Sequence, residues 1–369
     1  MAPRRLVRVG GPLAGGIVAA VLAGCAPAVP APAPPPPPGP TVTAEPTATP
    51  SAEPPPQSTT APPPAAAAPP EPPFPPAAFP APAARTARPG DGLWFPLLPA
   101  GAALEAGAPA LLYRSEIHPD PRKPQVHVAL VAVDLRRVAL NLVAGTLEPR
   151  SATVPEDHRP GLVPAADLPD LLAVLNGGFM TRHGTWGMAI GGDVFLPPHD
   201  DGCTVALLGD GSVRIRTQRD LKGELGAAPA ALLAFRQTPP CLVEKGEVLA
   251  DLLGPDKPRR WGLSETGGVD IRRSALGLAE GGRTLIYGLG EWIGPRALAE
   301  AMRAAGAVDA AELDVNWSFT RFLLYGPGPG GSSAPPEVTA TLIPKLKHAA
   351  GQYVTKPAER DFFYLKRRR

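Results

Sequence analysis

The prolines decide first what this chain can fold into. There are 53 in 369 residues, and roughly half of them fall between Ala26 and Gly90. That stretch is Pro, Ala, Thr, Ser and a few Glu, with too few large apolar groups to build a core. It favours polyproline II, whose rise of about 3.1 Å per residue gives a reach of up to ~200 Å. The expectation is a disordered linker over residues 26–92 and one large folded domain over residues 93–366, opening at Leu93-Trp94-Phe95.

Residues 1–25 read as an export leader. Arg4, Arg5 and Arg8 precede an apolar run from Gly10 to Ala23, too short and too rich in Gly to span a bilayer comfortably. The run ends in Leu22-Ala23-Gly24-Cys25, which resembles the bacterial lipoprotein signal, whose Cys becomes the lipid-bearing first residue. The resemblance implies a cell-envelope protein facing the periplasm or exterior, with the membrane as partner through acyl chains on Cys25. The net charge is +2 and no long Lys/Arg stripe appears, so nucleic-acid binding has no electrostatic footprint. Lys366-Arg367-Arg368-Arg369 reads as a solvated tail.

Cys203 and Cys241 remain. An exported compartment permits a disulfide, and both a bridge and two buried thiols stay open. No short Cys/His spacing surrounds either one, so no metal is assigned to them and no cofactor is implied. Asp193, Asp200 and Asp201 have the chemistry to ligate a hard divalent cation, although solvated turns are the simpler reading.

Past the linker, short strands with turn punctuation dominate. "VHVALVAVDLRRVALNLVAG" reads as two strands around Asp134-Leu135-Arg136-Arg137. "VALLGDGSVRIRT", "CLVEKGEVLA" and "ALGLAEGGRTLIYGL" read as hairpins turning at Gly209-Asp210-Gly211, Lys245-Gly246 and Gly281-Gly282. One helix is well marked in "GPRALAEAMRAAGA". Pro295 starts it, Leu298, Ala301, Met302 and Ala305 line one face, and Gly306 ends it. Strands with few, segregated helices predict an α+β fold with mixed or antiparallel sheets.

Four stretches carry candidate chemistry. In "LLAVLNGGFM" a strand runs into Asn176-Gly177-Gly178, where two glycines let backbone amides approach a ligand. In "TRHGTWG", Arg182 offers a phosphate ligand, His183 a proton carrier and Trp186 a stacking face. In "DIRRSALG", Arg272 and Arg273 open a strand on opposite faces, so one of them faces a cleft and the other water. In "AAELDVNWSFTRFLLYG", Asp314 sits where a strand gives out, and Asn316-Trp317-Ser318 turn the chain. Each stretch alone also reads as a tight turn or a packed surface.

Taken in order, these stretches resemble the phosphodiester glycosidase family over about Leu171 to Tyr325. The family pattern has Asn-Gly-Gly-Phe, matched by Asn176 to Phe179, and Gln-x-x-Pro, similar to "RQTPPCLV". Arg-x-Ala-x-Gly is matched from Arg273 to Gly277, and "ERDFFYL" looks like family endings. The family's Leu-Asp-Gly-Gly-Gly-Ser reads here Leu313-Asp314-Val315-Asn316-Trp317-Ser318, with the Asp and Ser kept and all three glycines replaced.

The resemblance implies hydrolysis of the glycosidic bond of sugar-1-phosphodiesters, with Asn176, Arg273 and Asp314 in the site. Phosphate leaves readily, since its second pKa is about 6, so one carboxylate suffices where ordinary glycosidases use two. On chemical grounds Asp314 activates water or steadies positive charge at the sugar. Arg273 and the amides of Gly177 and Gly178 hold phosphate. Asn176, Asn316 and Ser318 are placed for sugar hydroxyls, and Trp317 stacks beneath the ring. The alternative is a non-catalytic glycan- or phosphosugar-binding module, because Val315 and Trp317 fill space that glycines would leave open. A surface scaffold whose motifs are purely structural is a third reading.

Overall fold

The computed structural model describes residues 73–369, apart from 105–106, 227–231, 255–257 and 332. The leader, Cys25 and the linker up to residue 72 lie outside the described residues.

Three antiparallel sheets make the domain. The first has eight strands in the spatial order Phe95–Pro96, Leu112–Ile117, Val128–Asp134, Thr284–Ile293, Ile271–Ala279, Ala307–Glu312, Val243–Glu244 and Glu247–Val248. The second has five, Asp193–Leu196, Met188–Ile190, Leu232–Thr238, Cys203–Leu208 and Val213–Thr217. The third has five, Glu337–Thr341, Phe322–Gly326, Leu171–Asn176, Phe362–Arg367 and Val138–Val143. This is the α+β class with few helices that the punctuation predicts.

The three hairpins form as read. Lys245 and Gly246 turn one of them at φ +53° and +83°, and Gly281 and Gly282 turn another at +76° and +70°. Such positive φ is open to Gly at no steric cost. The two strands around Asp134, however, do not pair with each other. Val128–Asp134 joins the first sheet and Val138–Val143 the third. Likewise Ala307–Glu312 and Phe322–Gly326 enter different sheets, so the turn after Asp314 is a crossing between sheets and not a hairpin tip.

Burial explains the apolar runs. Val128 to Val133 is buried at every residue, because the first sheet is covered on both faces. On one face Leu130, Ala275 and Ile286 pack under Leu298, Ala301 and Met302 of the helix Pro295–Ala304. On the other, Val131, Leu276 and Leu285 meet Val205 and Ile215 of the second sheet and Leu175, Phe322 and Phe363 of the third. Gly306 ends that helix at φ +96°. A second helix, Gln218–Leu225, lies on the second sheet's strands and carries Leu221 inward.

Residues 73–92 are part of the domain, which corrects the linker boundary. Phe79 packs on Trp94 at 5.6 Å between ring centroids, and the Thr86 hydroxyl donates to the His118 carbonyl at 2.8 Å. Gly92 N–H donates to the Glu116 carbonyl at 2.9 Å. Phe74, Phe79 and Trp94 supply the apolar area that the surrounding Pro and Ala lack.

Cys203 and Cys241 are joined, with Cα atoms 4.7 Å apart and a sequence separation of 38. A bridge closing a loop of this length stabilises by about 4 kcal/mol. Reduction, or Cys241→Ser, is expected to lower Tm by roughly 5–10 °C, read by melting with and without reductant. An unchanged Tm would show that the bridge contributes nothing.

Candidate active site

A cleft of about 300 Å³ opens where three strand ends meet. Asn176, Gly177 and Gly178 enter it from the end of Leu171–Asn176, and Asp314 from just beyond Ala307–Glu312. The third wall is the stretch Gln352 to Asp361 that leads into the last strand.

Asn176 is the bolt of this junction. Its side-chain oxygen accepts from the Ser274 hydroxyl, the Tyr287 hydroxyl and the Arg321 N–H, each at 3.1 Å. Its amide donates to the Asp314 carbonyl at 3.1 Å. With the oxygen accepting three times, it is spent on holding the first and third sheets together. The expectation that Asn176 positions sugar hydroxyls is corrected to that structural place.

The Gly177-Gly178 pair has a different cause from the one expected. Gly177 N–H donates to the Asp361 carbonyl at 3.2 Å, and Gly178 N–H to the Asp361 carboxylate at 2.8 Å. Neither amide is left for a phosphate. A Cβ at Gly177 would lie 2.1 Å from Asp361 Oδ2, and one at Gly178 2.6 Å from the Arg236 guanidinium. The glycines make room for an ion pair, Arg236 Nε to Asp361 Oδ2 at 2.9 Å, whose side chains are 0% and 1% exposed. Arg236 also donates to the carbonyls of Phe179, Trp186 and Gln237, so it fixes the loop after the glycines.

Arg273 turns away from the cleft. Its Nε donates to the carbonyls of Val269 and Ile293, and its terminal nitrogens to those of Trp261, Gly262 and Val269 and to Glu312 Oε1 at 2.7 Å. A guanidinium has five N–H groups, and all are engaged. The phosphate-holding role expected of Arg273 is therefore corrected: it pins the loop at residues 261–269 to its strand. Arg272 does not face open water either. It pairs with Glu291 and lies 4.8 Å beneath the Trp317 ring.

Asp314 is buried, accepts from Val315 N–H at 2.9 Å and pairs with Arg360. Burial pushes its carboxyl up to about 7, against the opposing charge of Arg360 and the Val315 hydrogen bond. The Arg360 guanidinium is capped by the Phe319 ring at 3.9 Å. Arg321 and Lys356 add two cations to the cleft wall, and Glu359 one anion, while Asp361 is neutralised by Arg236. The wall therefore suits an anionic ligand beside a carboxyl that changes charge near neutrality. Glu312, two residues back, is also pushed to about 7 by burial, but it faces Arg273 and lies off the cleft.

Val315, Asn316 and Trp317 leave the cleft open. Val315 packs with Phe179, Ile271 and Trp186 in a small apolar cluster. Asn316 takes φ +85°, a backbone that Asn tolerates better than most residues. Trp317 points outward, 39% exposed, and packs against Trp292 with the rings tilted by 56° and 4.7 Å between centroids. None of these lines the cleft, nor does Ser318, whose carbonyl accepts from Arg321. Asn316, Trp317 and Ser318, expected to meet sugar, thus lie outside the lining of this cleft.

His183 sits on the neighbouring turn Thr181–His183, exposed and off the cleft wall. Partial desolvation first, then the charges of Arg182 and Arg360, holds its pKa below the usual value. That turn is tied down by Glu148, which accepts from the Thr181 N–H and hydroxyl at 2.9 and 2.8 Å. Trp186 faces His199 at 5.3 Å instead of the cleft. Asp193, Asp200 and Asp201 each meet a base, His158, Lys222 and Arg260.

No protein-family model matches the chain, and no curated protein matches it in sequence. Solved structures do. The chain is similar to the zebrafish N-acetylglucosamine-1-phosphodiester alpha-N-acetylglucosaminidase catalytic domain auto-inhibited by its pro-peptide. That match has 16% identity and a TM-score of 0.42, over 73% of this chain and 87% of that one. It is also similar to a hypothetical protein from Synechocystis, at 13% identity and a TM-score of 0.34, over 71% of this chain and 65% of that one.

Sequence reasoning missed Arg236, Arg360 and Asp361. The signal for Arg236 was present: a lone charge inside the apolar strand Leu232–Thr238 must be paired where it is buried. A larger cleft of about 920 Å³ lies around Arg122, Lys123, Asp270 and Arg296. Its lining includes ion pairs such as Lys123–Asp270 and Arg303–Glu300, and its acids sit in those pairs or in turns, so the smaller cleft is the candidate.

Proposed function

We propose that the cleft at Asp314 hydrolyses the glycosidic bond of sugar-1-phosphodiesters. One observation carries this reading: a buried carboxyl pushed up to about 7 and paired with Arg360, on a wall that holds two more cations. In this reading Arg360 exchanges partners. When the phosphodiester binds, the guanidinium turns to the phosphate, with Arg321 and Lys356 beside it, and releases the Asp314 carboxylate. Asp314 then takes a proton from water as its oxygen bonds to the anomeric carbon. The carbon–oxygen bond to phosphate breaks, and its electron pair leaves with the phosphate monoester. That leaving group needs little acid help, so no second carboxylate is required. The substrates we propose are cell-surface or extracellular glycans, because the leader and Cys25 suit a lipid-anchored envelope protein.

A base that must be ionised makes kcat/KM rise with pH through about 7 and level off above it. Arg360 favours the carboxylate, so Arg360→Ala is expected to move that midpoint upward and to weaken binding of the anionic substrate. Profiles of kcat/KM against pH for parent and variant check this. A midpoint that stays put or moves down removes Asp314 as the titrating base. Binding of phosphodiesters with no sugar released at any pH would favour the binding-module reading instead.

A further inference from the structure

We infer that Glu116, His118 and His127 form a binding site for a divalent cation of the zinc type. The topology brings them together. Leu112–Ile117 and Val128–Asp134 are antiparallel neighbours with Ile117 opposite Val128. One step further along this register sets His118 opposite His127. Glu116 and His118 are two residues apart and so share a face of the sheet. Three ligand-bearing side chains thus meet at one end of one strand pair, and their ligand atoms lie within 4.8 Å of one another.

Their spacing fits a tetrahedral ion. Ligands at about 2.0–2.2 Å from one such ion lie roughly 3.4 Å apart. His127 Nε2 and Glu116 Oε1 are 3.3 Å apart, and the two imidazole rings are 5.7 Å apart between centroids. Among the described residues, the other oxygen of Glu116 meets Arg114, at 3.9 Å.

A second observation points the same way. His118 Nδ1 lies 2.9 Å from Asp91 Oδ1, and Asp91 Oδ2 accepts the N–H groups of His118 and Arg88 at 3.3 and 3.1 Å. Both side chains are buried, at 8% and 7% exposure. A carboxylate behind Nδ1 fixes the tautomer in which Nε2 keeps its lone pair, the arrangement that orients metal-bound histidines. His127 and Glu116 are partly exposed, which leaves a side of the ion open to water. Two His and one Glu with an open fourth position is a donor set that zinc takes readily.

The site is separate from the cleft. Three to four strand steps of about 4.8 Å lie between it and the strand leading to Asp314, or about 14–19 Å along the sheet. Asp91 belongs to the strap at residues 73–92, so an ion held here fastens that strap to the sheet edge.

The test is a calorimetric Zn²⁺ titration of the full chain, purified without a histidine tag and stripped with chelator. One Zn²⁺ per chain is expected. His127→Ala and Glu116→Gln are expected to lower affinity by at least about tenfold, and Asp91→Asn, which touches no metal, by about 10–100-fold. Co²⁺ in place of Zn²⁺ should give the visible absorption of a low-coordinate site in the parent and lose it in His127→Ala. Zn²⁺ should raise the Tm of the parent and not of that variant. His127 and Glu116 are exposed enough for their variants to fold, and matching Tm values in chelator verify it. A parent chain that takes up no Zn²⁺ at micromolar concentration overturns the site. So does uptake that is the same in His127→Ala and Glu116→Gln as in the parent.

Discussion

Asp314→Asn is expected to cut sugar release from a sugar-1-phosphodiester by about 10²–10⁴-fold, the range that a positioned acid–base group contributes. Binding of the intact phosphodiester should change far less, because the cations at Arg321, Lys356 and Arg360 stay in place. Stability separates lost chemistry from lost fold. Asp314 has its pKa raised by burial from 3.8 to about 7. Such a group helps the fold fully below its unfolded pKa and loses that contribution as pH rises through the folded one. The Asn variant has no such loss, so it should gain on the parent as pH goes from 4 to 8. A variant that releases sugar at the parental rate would remove Asp314 from the mechanism. One that fails to fold at pH 8 would contradict the burial argument.

Asp361→Ala is expected to destabilise the domain by about 3–5 kcal/mol, the usual cost of leaving a buried charge without its partner. Arg236 would keep its carbonyl partners and lose the Asp361 carboxylate, and Gly178 N–H would lose its acceptor. Against a total of about 5–15 kcal/mol this is a large fraction. Urea unfolding of parent and variant reads it directly. A loss below about 1 kcal/mol, the range of surface pairs, would mean that water reaches the pair.

The strands and turns were legible because alternation and positive-φ glycines act over a few residues. The helix at Pro295 was legible for the same reason, since its apolar face recurs with helical period. Which strands share a sheet was not legible. Asp134 to Val138 looks like a hairpin turn locally, and only packing sends its two arms to different sheets. The site was half legible. Asp314 and Asn176 do meet, as their order in the sequence suggested. The glycines at 177 and 178 were correctly singled out as places of close approach, but what approaches is Asp361, 183 residues from Gly178, with Arg236 behind it. A glycine reports that something comes near and does not say whether it is ligand or protein. Arg273 misled for a related reason. A strand-opening Arg is chemically fit for phosphate, and only the carbonyls of the loop after Trp261 show that its donors are filled.

The last strand, Phe362–Arg367, lies between Leu171–Asn176 and Val138–Val143 in the interior of its sheet. Arg360 and Asp361 sit just before it. Without this segment the third sheet would be split, Asp314 would lack Arg360, and the amides at 177 and 178 would lack their acceptors on Asp361. Closing the third sheet and completing the cleft wall are therefore a single step.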